Sequence, residues 1–283
     1  MTVPQGLDAV DQLGPGDHAC RSFTGAADLA AAVVPFLDQG RRRDEQLLLV
    51  GPTRPALLAA VSALPHRDEL LADGRLDLQV TGDSYSAGAA LVPHEQVARY
   101  RRATQAALDA GRTGLRVAAD VTELLRLGRS GRRLLHAYEQ LADELMGTVP
   151  MTALCLYDAS VGPDALGPVA VLHPVQSLGD RPALAHLSGR GAVLSLHGEV
   201  DLTEAAYVAT ALVDVAGEVP GEVVLDLSGL AFLDVAGARA LAGAARELAG
   251  RGTSLRLTGA ARGVRRCLDL FGLGPSGSGG EPA

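Results

Sequence analysis

The chain has 283 residues, a length that predicts about two domains at ~150 residues each, and its 47 % hydrophobic and 20 % charged residues are those of a folded globular protein. All 25 basic residues are arginine, which excludes the phosphate-binding lysine of a P-loop, the Schiff-base lysine of pyridoxal enzymes and the strand lysine of kinases. A net charge of −8 has the wrong sign for gripping phosphate backbones, so no nucleic-acid partner is expected.

The cysteines, Cys20, Cys155 and Cys267, are few, odd in number and far apart, with no CxxC pair. That pattern suggests neither a disulfide framework nor a zinc ribbon and fits a reducing cytosol. The first residues lack a basic segment followed by an apolar one, and no run of about 18 apolar residues follows, so a cytoplasmic protein without a membrane partner is expected.

In chain order, HACRSF (18–23) predicts a strand. The next segment carries Leu29, Val33, Phe36 and Leu37 at helical spacing, with Gly40 as its stop. QLLLVG (46–51) is an apolar run of strand length, RPALLAAVSAL a helix ended by Pro65, and RLDLQV a third strand running on toward Tyr85. Pro93 opens a longer helix that Gly111 ends, GLRVAAD is a fourth strand, RRLLHAYEQLADELM a helix, MTALCLYD a fifth strand and PVAVLHP a sixth. Apolar strands alternating with helices predict an α/β domain with a parallel sheet covered on both faces.

Residues 175–191 are rich in Gly, Ser and Pro, which places a flexible boundary there, near Arg181. Beyond it AVLSLHGEVD, GEVVLDLSG and SLRLTG read as strands and the segments between and after them as helices, a second and smaller α/β unit. The expected division is 14–178, 181–274 and a low-complexity, disordered tail at 275–283.

Parallel sheets bind ligands beyond the carboxyl ends of their strands. The candidates there are Asp17, His18 and Cys20 on the first strand, Asp83 and Tyr85 after the third, Asp120 after the fourth, Tyr157 and Asp158 after the fifth, and His173 at the sixth. Asp17, His18, Asp83, Tyr85, Tyr157 and His173 form the ligand set. A metal or thiolate site from His18, Cys20, Cys155 and His173 is weighed against ordinary burial of cysteine, which favours no metal and no cofactor. Arg116, inside an apolar strand, needs a carboxylate, and Glu139 is the expected partner.

In the second unit, Gly198-Glu199-Val200-Asp201, Asp226-Leu227-Ser228-Gly229 and Phe232-Leu233-Asp234-x-x-Gly237 agree in order and spacing with a STAS domain of the anti-sigma factor antagonist kind, which the unit resembles throughout. The resemblance implies a small sheet of four or five strands and a role without catalysis, namely docking on an anti-sigma factor, usually a serine kinase, to release a sigma factor. It also implies a docking surface at Asp201, Ser228, Asp234, Val235, Ala236 and Gly237. The family's kinase modifies the Ser or Thr just before the glycine, and here that residue is Ala236. Taken by themselves, Asp226 and Asp234 are also ordinary caps, and Arg262, Arg265 and Arg266 a solvated helix face.

GDHACRSF, VVPFLDQGRRRDEQLLLVG, GLRVAAD, HAYEQLADEL and ALCLYDAS resemble the MEDS domain of DcmR-type regulators. That implies a RecA-like sheet, here without a P-loop, serving as a sensor of a small ligand. Hydrolase signatures such as GxSxG and HExxH are absent, so a signalling regulator rather than an enzyme is expected. A scaffold in a stress-signalling assembly or a small-molecule enzyme is the alternative.

Overall fold

The computed structural model describes residues 5–7, 9–81, 92–178, 184–217 and 219–274. The described residues form two compact units, one from Gly6 to Leu166 resumed at Val175, the other made of Gly167–Pro174 together with the chain beyond residue 183.

The first unit is built on a seven-stranded sheet. Its strands are β1 (Gln5–Gly6), β2 (His18–Phe23), β3 (Gln46–Gly51), β4 (Leu76–Val80), β5 (Leu115–Asp120), β6 (Met151–Asp158) and β7 (Val175–Ser177), in the order β1-β7-β2-β6-β5-β3-β4. The pairs from β7 to β4 are all parallel. The crossovers run through α1 (Gly25–Arg42), α2 (Arg54–Ala60), α3 (Arg67–Ala72), α4 (Pro93–Asp109), α5 (Thr122–Arg126) and α6 (Gly128–Met146), and α7 (Pro163–Ala170) precedes β7 in the chain.

Register decides which side chains share a face. Cys20 lies opposite Cys155 and His18 opposite Ala153, and side chains alternate along a strand. Ala19, Leu47, Leu49, Ala118 and Leu154 therefore pack with Val33, Phe36 and Leu37 of α1 in one core. His18, Cys20, Cys155 and Tyr157 point to the other face, where α6 delivers Glu139.

Arg116 takes the α1 face, fully buried, and pairs with Glu45. Its Nη2 donates to the Leu13 carbonyl at 3.0 Å, and its guanidinium lies 4.6 Å from the Phe36 ring centre. The expected partner, Glu139, lies on the opposite face of the sheet, because Arg116 has the parity of Ala118 along β5. Gly40 of α1 makes the space: a Cβ there would fall 2.5 Å from Arg116 Cδ and 2.6 Å from Leu47 Cδ2.

The second unit holds β8 (Ala185–Arg190), β9 (Val193–Val200), β10 (Gly221–Asp226), β11 (Leu230–Leu233) and β12 (Thr253–Thr258). With them come α8 (Ala205–Ala216), α9 (Val235–Ala249) and α10 (Arg262–Asp269). The sheet runs β11-β9-β10-β12 in parallel, and β8 pairs antiparallel with β9 through a tight turn in which Gly191 has φ +60°. Leu196, Val208, Leu212, Leu225 and Leu241 are at its core.

Three further expectations are corrected. PVAVLHP is no strand: its first residues end α7, and the strand is Val175–Ser177. The third strand stops at Val80, and Asp83 and Tyr85 lie outside the described residues, as does the tail 275–283. The punctuated stretch 175–191 is not a flexible linker throughout, since β7 and β8 occupy much of it.

Candidate functional site

In the second unit the parallel pairing of β9 with β11 sets Val200 beside Leu233, which brings the two following turns together. Asp201 leaves β9 and accepts through Oδ1 from the Thr203 amide at 2.8 Å and the Thr203 hydroxyl at 2.6 Å. These bonds, the hydroxyl's first, hold its carboxyl below the ordinary 3.8. Asp234 donates its amide to the Val200 carbonyl at 3.1 Å and caps α9, its Oδ1 accepting from the Gly237 amide at 2.7 Å. Gly237 is fixed by space, for a Cβ would lie 2.6 Å from Leu233 Cδ1 and 2.8 Å from the Val200 oxygen.

Around these capped ends large apolar side chains face solvent: Phe232 and Val235 are each 48 % exposed and Leu202 75 %. Ala236, half-buried in the first turn of α9, offers only a methyl group. Ser228 belongs to another turn. It donates its amide and hydroxyl to Asp226 at 3.0 and 2.8 Å, and register sets Asp226 opposite Ser195, well short of Val200. Arg262, Arg265 and Arg266 are exposed on α10.

In the first unit the expected ligand set divides. His18 opens β2 and so sits at its amino end, not at the carboxyl end where ligands of parallel sheets bind. Asp17 precedes it and closes a turn, accepting from the Gly14 amide at 2.7 Å. Tyr157 is buried and donates its hydroxyl to Glu139 Oε1 at 2.7 Å. His173, also buried, belongs to the segment that groups with the second unit, and its Nδ1 is 2.9 Å from the Val169 carbonyl.

What the fold brings together is His18, Glu139, Cys155 and Tyr157 beneath α6. His18 Nε2 is 3.2 Å from Glu139 Oε2 and 3.6 Å from Cys155 Sγ, which is 3.7 Å from the same carboxylate oxygen. Cys20, on the same face, takes no place among these contacts; it is fully buried opposite Cys155. Burial first, then the Glu139 charge, drives the Tyr157 hydroxyl well above the ordinary phenol value. Sequence pattern pairs Glu139 with Arg116 rather than with this cluster, although a signal exists: Glu139 lies in the buried stripe Leu135, Tyr138, Ala142 of α6.

At the carboxyl end of the sheet, β3 and β5 are neighbours whose following helices cover opposite faces, which is the crevice position of an open α/β sheet. Asp120 is there, accepting from the Thr122 hydroxyl at 2.6 Å, and burial raises its carboxyl above 3.8. Asp158 ends β6 nearby, its carboxyl lowered by the Ser160 amide. Thr122 Oγ1 joins the two turns by accepting from the Asp158 amide at 2.9 Å.

Fold and sites together define a protein with an open parallel α/β domain followed by a small mixed-sheet domain with a capped loop at the joined ends of β9 and β11. Residues 17–174, more than half the chain, match the methanogen/methylotroph, DcmR sensory domain, and the chain belongs to this MEDS family. Residues 184–275 match the Mlab, STAS domain. The anti-sigma-F factor antagonist RsfB of Mycobacterium tuberculosis, from strains CDC 1551 / Oshkosh and ATCC 25618 / H37Rv alike, is 38 % identical over 84 residues. That stretch is 29 % of this chain and 66 % of the relative, just under two thirds of its length. Among solved structures, the DUF1998 helicase MrfA bound to DNA is similar at a TM-score of 0.34 and 10 % identity, over 83 % of this chain and 34 % of that one. Nothing follows from a likeness at that level. Among the described residues no helix is long and apolar enough to cross a membrane.

Proposed function

We propose that this chain is a signalling regulator without catalytic activity: its STAS unit docks on a serine-kinase-type anti-sigma factor, and its MEDS unit senses a small molecule. The observation that carries this reading is the joined end of β9 and β11, where two rigidly capped aspartates stand among exposed Leu202, Phe232 and Val235. Apolar side chains held on a capped, preorganised loop are what a protein partner buries at the centre of an interface. The similarity to RsfB supports the choice of partner.

The helix start at Val235 also bears on control. A phosphate dianion is stabilised by free backbone amides at a helix N-terminus and would oppose docking by its charge. Residues 235 and 236 are Val and Ala and have no oxygen to modify, so in this reading the surface stays open to its partner. Calorimetry of the full chain against a purified anti-sigma kinase tests it. Binding weakened at least tenfold by Val235→Asp is the expected result; no binding by the unaltered chain would refute it. With ATP present, Ala236→Ser should gain phosphate that the natural chain does not take up.

A further inference from the structure

We infer that His18, Glu139 and Cys155 form a binding site for one zinc-like divalent transition metal in the MEDS unit. This does not rest on the docking reading, since all three residues belong to the first unit. They come from three elements, β2, α6 and β6, and each is buried.

Tetrahedral coordination at ordinary zinc bond lengths spaces ligand atoms by about 3.3 Å for N···O, about 3.6 Å for N···S and about 3.5 Å for O···S. The three separations here are 3.2, 3.6 and 3.7 Å. Three donor atoms thus lie close to one triangular face of a coordination tetrahedron.

The surrounding shell has the matching form. A metal-bound histidine commonly turns its other ring nitrogen to a carboxylate, and a ligating carboxylate is itself hydrogen-bonded. His18 Nδ1 is 3.5 Å from Asp143, and the second oxygen of Glu139 accepts from Tyr157 at 2.7 Å. Oε2 and Nε2 are thereby the atoms turned toward Cys155. Asp143 follows Glu139 by one helical turn, which is why one helix supplies both carboxylates.

Charge and donor type agree with this geometry. A thiolate and a carboxylate together neutralise a divalent cation, which lessens the cost of burying each of these charges. The N, O and S set selects zinc and its transition-metal neighbours over magnesium or calcium, which take oxygen ligands. Binding releases the Cys155 proton, because the ligand is the thiolate.

The test uses the full chain. Elemental analysis after equilibration with Zn²⁺ should give one equivalent per chain, and the Co²⁺ form should show thiolate-to-cobalt charge-transfer absorption. The Cys20→Ser/Cys267→Ser double variant must keep that absorption and Cys155→Ser must lose it. Tyr157→Phe should weaken Zn²⁺ binding by about tenfold or more through loss of the supporting hydrogen bond. Absence of stoichiometric metal in the natural chain, or a cobalt–thiolate band lost with Cys20 and Cys267, overturns the site. Should Cys155→Ser fail to fold, the double variant decides alone.

Discussion

Arg116 and Glu45 are a buried ion pair whose worth lies in its completeness. Burial lowers the guanidinium's pKa, and the Glu45 contact opposes that effect. Glu45→Ala removes the carboxylate and leaves the cation enclosed, so a loss of about 3–5 kcal/mol is expected in urea unfolding. The double replacement Arg116→Met/Glu45→Met should cost less, because no charge is then stranded. Tyr100 gives a pH signature. Burial pushes its hydroxyl to about 12 from the ordinary 10.0, so its contribution to stability is whole below pH 10.0 and is lost as pH rises toward about 12. An ultraviolet phenolate titration should show this group ionising late, and Tyr100→Phe should flatten the alkaline limb of the stability curve. Asp201 has the opposite sign: its carboxyl is held down by Thr203, so its support is present above 3.8 and disappears as pH falls below that value.

Among the elements, α9 begins where Asp234 accepts from Gly237. Asp234→Ala is expected to lower stability by about 1 kcal/mol and Asp234→Asn by much less, a difference that thermal unfolding can resolve. The alternation of strands and helices was legible because apolar runs and helical spacing differ in period, and the three STAS turns were legible as motifs. PVAVLHP was not: a short apolar run reads alike as a buried strand or a buried helix end, and here Pro168 sits within the last turns of α7. β8 was hidden because AHLSGR has a strand's length but lies among Gly and Pro. Asp201 and Asp234 could be foreseen as neighbours through the family motif, whereas the meeting of His18 with Glu139 depends on strand order and helix docking, which no local pattern encodes.

Over the whole molecule, charge is spread without a basic half. The first 180 residues carry 16 arginines against 22 acidic residues, and the remainder carry 9 against 11. Neither half has the excess of positive charge that releases counterions from a nucleic acid. Fluorescence anisotropy with duplex DNA at physiological salt should therefore show no binding; a salt-dependent affinity would contradict this. The division into an α/β domain with a parallel sheet and a smaller second one followed from composition and period alone, since each half repeats strand and helix at intervals a single core can absorb. The parallel run of the first unit's strands followed too, and with it the place of His18, first residue of its strand, at the amino end; the order of the strands in the sheet did not.

The fit of Gly40 against Arg116 constrains how these positions could change over generations. With a Cβ at residue 40 only 2.5 Å from Arg116 Cδ, an alanine there is blocked while the arginine remains. Leu47 Cδ2 would lie 2.6 Å from the same Cβ, so a lineage that enlarges residue 40 first needs room made at both residue 116 and residue 47. The three sites should consequently vary as a linked set, with the changes on β5 and β3 preceding the one on α1.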